Sequence, residues 1–318
     1  MIYYDPAAVP PPFPLENATG ICHLNSILQC LCCCPAFTKQ VLGNQDYMTR
    51  SRTGSAILSF VLHYIHRPLK FTVSIQQFSS IIMENFVKDL RHHRPESTFG
   101  NGQESFTDGL PLLLEMVAAV DPNGRSPISD ILTHRYRSEV TCLNCGAKFT
   151  SVDESLPTFD MFYIDNLRER PTTPETFSDA MLQYANPIED FTCEKCGTKG
   201  DGVVRNTLIR APEIIMCVFN IYNTTIRREN RNYYFPERLE FPSSKSDGVL
   251  NYRVVAQVEH VGTMTSGHYT TRGLHHGVVY NFNDSQRPTT STFEPTKDTY
   301  IVLYHIIAPP EPGTSIVG

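Results

Sequence analysis

Leu15-Glu16-Asn17-Ala18-Thr19-Gly20-Ile21-Cys22-His23-Leu24-Asn25-Ser26-Ile27-Leu28-Gln29 changes character at its midpoint. Up to Ile21 it reads as a loop. From Cys22 onward the apolar residues Leu24, Ile27, Leu28 and Leu31 recur at helical spacing until Pro35 stops or bends the pattern. The stretch predicts a buried helix that starts on a cysteine. A thiol there lies among the free N–H groups of the first turn, and the helix dipole should favour its thiolate. Without a base nearby, the same pattern describes a small apolar residue at a helix start, which is how Cys30, Cys32, Cys33 and Cys34 are read.

Upstream, Pro6, Pro10, Pro11, Pro12 and Pro14 predict an extended lead-in over residues 1–14. Downstream, residues 57–63, 75–87 and 110–120 read as helices, the last with Pro111 in its first turn. After Asp121-Pro122-Asn123-Gly124 the pattern turns to short β runs at 135–141, 149–152, 203–210, 214–221, 252–260, 268–272, 278–283 and 300–305. A short helix is expected over 177–184, and 309–318 reads as a tail.

The 318 residues carry a formal charge of -6 and ten cysteines. A chain of this length and apolar content can fold on its own core. No apolar run reaches the ~20 residues needed to span a bilayer, and the start lacks the pattern of a signal peptide. The expectation is an intracellular protein, cytoplasmic or nuclear, with no membrane partner. The lack of a basic block argues against a nucleic-acid partner, since phosphate binding needs clustered Lys and Arg. In a reducing compartment the cysteines are metal ligands, a nucleophile or core residues.

Cys142-Leu143-Asn144-Cys145-Gly146 and Cys193-Glu194-Lys195-Cys196-Gly197 are two Cys-x-x-Cys knuckles. Together they offer Cys142, Cys145, Cys193 and Cys196 as a closed, structural Zn²⁺ site. A redox Cys-x-x-Cys pair or buried thiols are the alternatives. The long gap between the knuckles requires a segment that protrudes and returns.

A base for Cys22 is sought in Ser266-Gly267-His268-Tyr269-Thr270, followed by Tyr280-Asn281-Phe282-Asn283-Asp284-Ser285. An imidazole beside Cys22 would take its proton, and an amide or carboxylate from the next strand would hold the ring in the working tautomer.

Together these segments resemble the ubiquitin-specific protease family of deubiquitinating enzymes over nearly the whole chain. Residues 15–29 follow its cysteine box, His260-Val261-Gly262 with Gly267-His268-Tyr269 its histidine box, and Phe282-Asn283-Asp284 its third box, with Tyr300 to Tyr304 as the closing strand. Departures are Thr19-Gly20-Ile21 before the cysteine, His23 for the usual tyrosine, a loose echo of the helix box at 103–108, and Tyr280 for a tryptophan. They mark a divergent, compact member.

The resemblance implies an α+β, papain-like cysteine protease with a thumb at 15–120, a palm at 121–134 and 208–308, and zinc-binding fingers at 135–207. It implies Cys22 as nucleophile, His268 as general base, Asn283 as orienter with Asp284 beside it, and Asn17 as oxyanion donor. Ubiquitin or a ubiquitin-like protein would be the partner of a chain expected to be monomeric. A catalytically weak ubiquitin-binding scaffold would share the fold. A zinc-ribbon nucleic-acid module is the more distant rival.

Overall fold

The computed structural model describes residues 13–17, 20–66, 77–99, 104–152, 162–164, 177, 183–219, 221, 234–242, 249–263 and 266–307. Its helices are α1 (Cys22–Cys32), α2 (Pro35–Gly43), α3 (Gln45–Met48), α4 (Arg52–His66), α5 (Phe78–His93), α6 (Phe106–Ala118) and α7 (Pro127–Asp130). Its strands begin with β1 (Arg135–Cys142), β2 (Lys148–Val152), β3 (Phe162–Ile164), β4 (Gln183–Thr192), β5 (Lys199–Arg210) and β6 (Ile214–Phe219). They continue with β7 (Arg238–Pro242), β8 (Val249–Thr263), β9 (Ser266–His275), β10 (Val278–Phe282), β11 (Thr289–Ser291) and β12 (Thr299–Ile307). The fold is α+β. The lead-in up to residue 12 and the tail from 309 lie outside the described residues, as do residues 178–182 of the helix expected over 177–184.

The chain divides into two compact units, 1–120 with 256–294 and 121–255 with 295–318. In the first, every residue of α1 is buried. That matches a sequence of small cysteines and serine among Leu24, Ile27, Leu28 and Leu31. Among its polar members, Gln29 Nε2 donates to the Phe13 carbonyl at 3.0 Å. β9 approaches closely because Gly273 has no side chain, and a Cβ there would lie 2.5 Å from Cys33 Sγ. On the same unit, residues 256–263 of β8 pair antiparallel with β9, β9 with β10, and β10 with β11. The β9–β10 turn places His276 and Gly277 at φ 49° and 82°, the left-handed pair that matches strand twist in a tight hairpin.

Two helix expectations need correction. Pro35 does end α1, but it also opens α2, where its missing N–H costs nothing. Pro111 lies inside α6 and not in its first turn, because Ser105 caps the helix by accepting from the Asp108 N–H at 3.0 Å and so starts it earlier. The end of the 177–184 segment is strand: Tyr184 belongs to β4, paired with β5.

In the second unit β2-β1-β5-β4 form an antiparallel sheet. Separately, β6 pairs antiparallel with β12 and parallel with β3, and β7 pairs with residues 249–253 of β8. β6 is buried at every position, which is why it reads as a continuous apolar run without alternation. Two fully buried tyrosines satisfy their hydroxyls on backbone carbonyls, Tyr252 on Pro212 at 2.7 Å and Tyr304 on Pro236 at 2.8 Å. Among the described residues, no helix is long and apolar enough to cross a membrane.

Burial holds the imidazoles of His23 and His275 down at about 4, below the usual 6.5. The unfolded chain therefore takes up these protons first, so the stability present above about pH 6.5 is lost as pH falls toward 4. One such group removes about 2 kcal/mol between about pH 7 and pH 5. Among the described residues, His23 has no hydrogen-bond partner on either ring nitrogen, and it packs edge-on to Phe99. His23→Phe should flatten the pH dependence of unfolding free energy over that interval, measured by urea titration; an unchanged slope would refute the assignment.

Candidate functional site

Cys22 begins α1 and is 4% exposed. Its thiol is pushed up from the ordinary 9.0 by burial. The Tyr269 backbone N–H pulls it back, the Asp284 carboxylate adds to the rise, and the N–H groups of His23 and Cys22 itself favour the thiolate. The helix-start effect expected from sequence is thus present but outweighed. Desolvation of a sulfur anion exceeds what a few amide dipoles return. The Tyr269 contact also places Cys22 beside the residue that follows His268.

His268 stands on β9, with Nε2 2.8 Å from Asn283 Oδ1. A carbonyl oxygen can only accept, so Nε2 carries the proton and Nδ1 keeps its lone pair as the basic nitrogen. Asp284 Oδ2 lies 3.8 Å from the same Nε2, beyond hydrogen-bonding range. The two candidates for orienting the ring are therefore distinguished by geometry: Asn283 touches it and Asp284 does not.

Asp284 has other partners. Its Oδ2 accepts from Asn17 Nδ2 at 2.8 Å and its Oδ1 from Asn25 Nδ2 at 2.7 Å. Its carbonyl accepts from the Leu15 N–H at 3.0 Å. It does this from a left-handed backbone, φ 46°, a region that aspartate tolerates better than most residues. Asn17 in turn accepts the Ile21 N–H on Oδ1 at 2.6 Å, so its side chain is held at both ends just ahead of Cys22. One N–H of its amide is committed to Asp284, which leaves the other to donate elsewhere. Sequence reading did not single out Asn25. The available signal was its spacing, one turn beyond Cys22 on the same helix face.

The histidine segment is shaped by two glycines. Gly262 faces Gly267 across the β8–β9 hairpin. Gly262 has φ 143°, and a Cβ there would strike the Ser266 and Gly267 backbone. A Cβ on Gly267 would strike the His260 ring, which stacks on Tyr269 with centroids 4.4 Å apart. His260 is buried and packs on Tyr269.

The four knuckle cysteines converge in the other unit, their sulfurs all within 4.8 Å of one another and Cys145 Sγ 3.7 Å from Cys193 Sγ. Each knuckle closes the same way. Gly146 N–H donates to the Cys142 carbonyl at 2.9 Å and Gly197 N–H to the Cys193 carbonyl at 2.8 Å. Both glycines have φ 68° with open space where a Cβ would go, so backbone conformation, not crowding, demands glycine there. The Cys196 thiol is lowered to about 6, mainly by the Thr198 hydroxyl, with the Thr198 N–H and Asn144 adding to the effect. Four sulfurs in this arrangement could hold a metal ion. The remaining cysteines of α1 and its end, with Cys217 on β6, are buried thiols pushed well above 9.0 by desolvation.

A helix-borne thiol met by the backbone N–H of the residue after a strand-borne histidine, and an amide hydrogen-bonded to that histidine's ring, are the kinds of group that a thiol hydrolase uses. The ubiquitin carboxyl-terminal hydrolase family matches residues 13–304, and the chain belongs to that family. It is 24% identical over 312 residues to ubiquitin carboxyl-terminal hydrolase 36 of Drosophila pseudoobscura pseudoobscura, covering 91% of this chain and 29% of that protein. It is 25% identical over 346 residues to ubiquitin carboxyl-terminal hydrolase 2 of Bos taurus, covering 93% of this chain and 55% of the relative. The chain therefore spans only about a third to a half of the length of these relatives. Its fold is shared with the SAGA Ubp8/Sgf11/Sus1/Sgf73 DUB module bound to ubiquitin aldehyde, at TM-score 0.72 and 17% identity over 93% of this chain and 70% of that one.

Asp284→Ala removes the acceptor of two amide donors, the buried Asn25 and the half-buried Asn17, and should cost about 2 kcal/mol of stability. Asn283→Ala removes a contact to a partly exposed ring and should cost about 1 kcal/mol or less. Urea denaturation of both variants checks the contrast; equal losses would contradict the assignment of Asp284 as the structural anchor.

Proposed function

We propose that this chain is a cysteine-type deubiquitinase that hydrolyses the bond following the C-terminal glycine of ubiquitin. The observation that carries the reading is the His268–Asn283 hydrogen bond at 2.8 Å, formed one residue from the Tyr269 N–H that contacts Cys22, in a chain of the ubiquitin carboxyl-terminal hydrolase family. The relative solved with ubiquitin aldehyde supports the substrate class.

In this reading His268 Nδ1 takes the Cys22 proton, and the sulfur attacks the glycine carbonyl to give a tetrahedral oxyanion. The free N–H of Asn17 and backbone N–H groups of the first helical turn hold the negative oxygen. His268 then protonates the leaving amine, and water releases the acyl group with His268 as base. Asn283 keeps Nε2 protonated throughout. Asp284 acts through others: it aims Asn17 and ties the loop before Cys22 to α1. Because burial raises the Cys22 thiol, nucleophilicity depends on proton removal by His268 and not on a standing thiolate.

The four finger cysteines suit Zn²⁺. A tetrahedral site with Zn–S of about 2.3 Å places sulfurs about 3.8 Å apart, and the Cys145–Cys193 separation is 3.7 Å. All four positions are filled by protein sulfur, so the ion would hold β1 and β5 ends together as a structural element. Asn144 would support it by donating toward Cys196 Sγ at 3.6 Å and Thr198 Oγ1 at 3.2 Å.

A ubiquitin C-terminal electrophile should form a covalent adduct on Cys22, read by intact mass and peptide mapping, and Cys22→Ser should abolish it. Absence of the adduct on folded, zinc-loaded protein would leave the scaffold reading in its place. Parallel electrophiles built on ubiquitin-like modifiers assign the modifier. Asn17→Ala should lower kcat on a ubiquitin-tail reporter by about 100-fold or more with little change in KM. A comparable rise in KM would place Asn17 in binding instead.

Removal of the metal with a chelator, or Cys145→Ser, should unfold the finger segment, seen as faster amide exchange confined to β1, β2, β4 and β5. Unchanged exchange with the metal demonstrably gone would remove the ion's structural role.

A further inference from the structure

A groove of about 580 Å³ runs between α4 and α5 within the first unit, away from the residues assigned to catalysis. Its α4 wall is set by Arg52, Ser55, Ala56, Ser59 and His63, positions that repeat at helical spacing along one face. Phe78, Ile81 and Asn85 supply the α5 wall. From Arg52 to His63 the helix advances about 16 Å, which matches about five residues of extended chain.

The two ends differ in chemistry. At the start of α4, Arg50 and Arg52 are exposed and line the rim. Arg50 lies over the Tyr47 ring at 5.6 Å, which limits its rotamers, and neither arginine makes an ion pair with a described residue. The nearby acids of α5 are taken: Asp89 is buried and accepts from the Thr53 N–H and hydroxyl at 2.8 and 2.7 Å, and Glu84 pairs with Lys88. No carboxylate lines the groove, in a chain whose acids outnumber its Lys and Arg by six. Beyond them Ala56, Phe78 and Ile81 supply apolar lining, and at the far end of α4 the His63 ring lies against Phe78 at 4.4 Å.

We propose that this groove is a docking site for an extended acidic peptide segment of a partner protein, with carboxylates on Arg50 and Arg52 and an apolar side chain on Phe78 and Ile81. The charge arrangement selects the occupant: a basic segment would meet two uncompensated arginines, and a bare anion would leave the apolar lining unused. Under the proposed function, such a segment, carried by a substrate or adaptor, would add affinity to that of the modifier.

The test pans a phage-displayed library of random short peptides against the full zinc-loaded chain, then measures the enriched peptides by fluorescence anisotropy. Enrichment of peptides pairing acidic residues with a leucine or aromatic is expected, and Arg50→Glu with Arg52→Glu should weaken them about tenfold or more. Ile81→Ser should weaken them independently, while hydrolysis of a ubiquitin-tail reporter and the melting temperature of the double variant stay unchanged. No enrichment, enriched peptides without acids, or equal binding to the charge-reversed variant would overturn the proposal. Full displacement by inorganic phosphate would reduce the groove to an anion site and overturn it likewise. Because binding is read apart from hydrolysis, failure here is distinguishable from failure of the deubiquitinase reading.

Discussion

The Asp284 carboxylate is the interaction on which the rest of the site depends. Three groups of one segment, some 260 residues away in sequence, meet on this one residue: Asn17 before the helix, Asn25 inside α1, and Leu15, whose backbone N–H donates to the Asp284 carbonyl. A largely shielded carboxylate, its side chain 10% exposed, with two amide donors is worth more than the same groups apart, because each would otherwise lose a partner in a partly desolvated site. The left-handed backbone of Asp284 turns the chain after Asn283, so that successive residues serve different purposes. Asn283 reaches outward to His268, and Asp284 reaches back to the loop and α1.

The environment of Cys22 shows the cost of that arrangement. Packing α1 on all sides fixes the thiol in place, but the same burial raises it above its usual value, and the Asp284 charge adds to the rise. Backbone N–H groups recover part of the loss. Under the proposed mechanism a nucleophile held in this way rests as a thiol and is activated by its histidine, which restrains unwanted oxidation and alkylation as well.

The ten cysteines are sorted by backbone surroundings more than by sequence neighbours. Cys30, Cys32, Cys33 and Cys34 are crowded together yet inert, sealed among α1, its end and β9. The knuckle cysteines converge because two glycine turns with φ 68° point sulfurs at one place. Cys22 alone combines a helix start with an imidazole-bearing strand alongside.

Much of this could be read from the chain. Periodicity gave α1 and the burial of its face, the runs of β-branched and aromatic residues gave most strands, and the two Cys-x-x-Cys-Gly units gave the four cysteines whose sulfurs converge. These are local signals, dictated by backbone geometry over a few residues. Pro111 and the β4 segment were misread because a cap at Ser105 and long-range pairing with β5 outweighed local preference. The residue pattern singled out the side chains to which the proposed chemistry is assigned. Only the tertiary structure decided what each one touches: that Asn283 and not Asp284 meets His268, that Asp284 binds Asn17 and Asn25, that Gly267 is glycine because the His260 ring lies over it, and that burial outweighs the helix dipole at Cys22. The Asp284 contacts join segments some 260 residues apart, and the His268 and Gly267 contacts are set by how neighbouring strands pair, which no local pattern encodes.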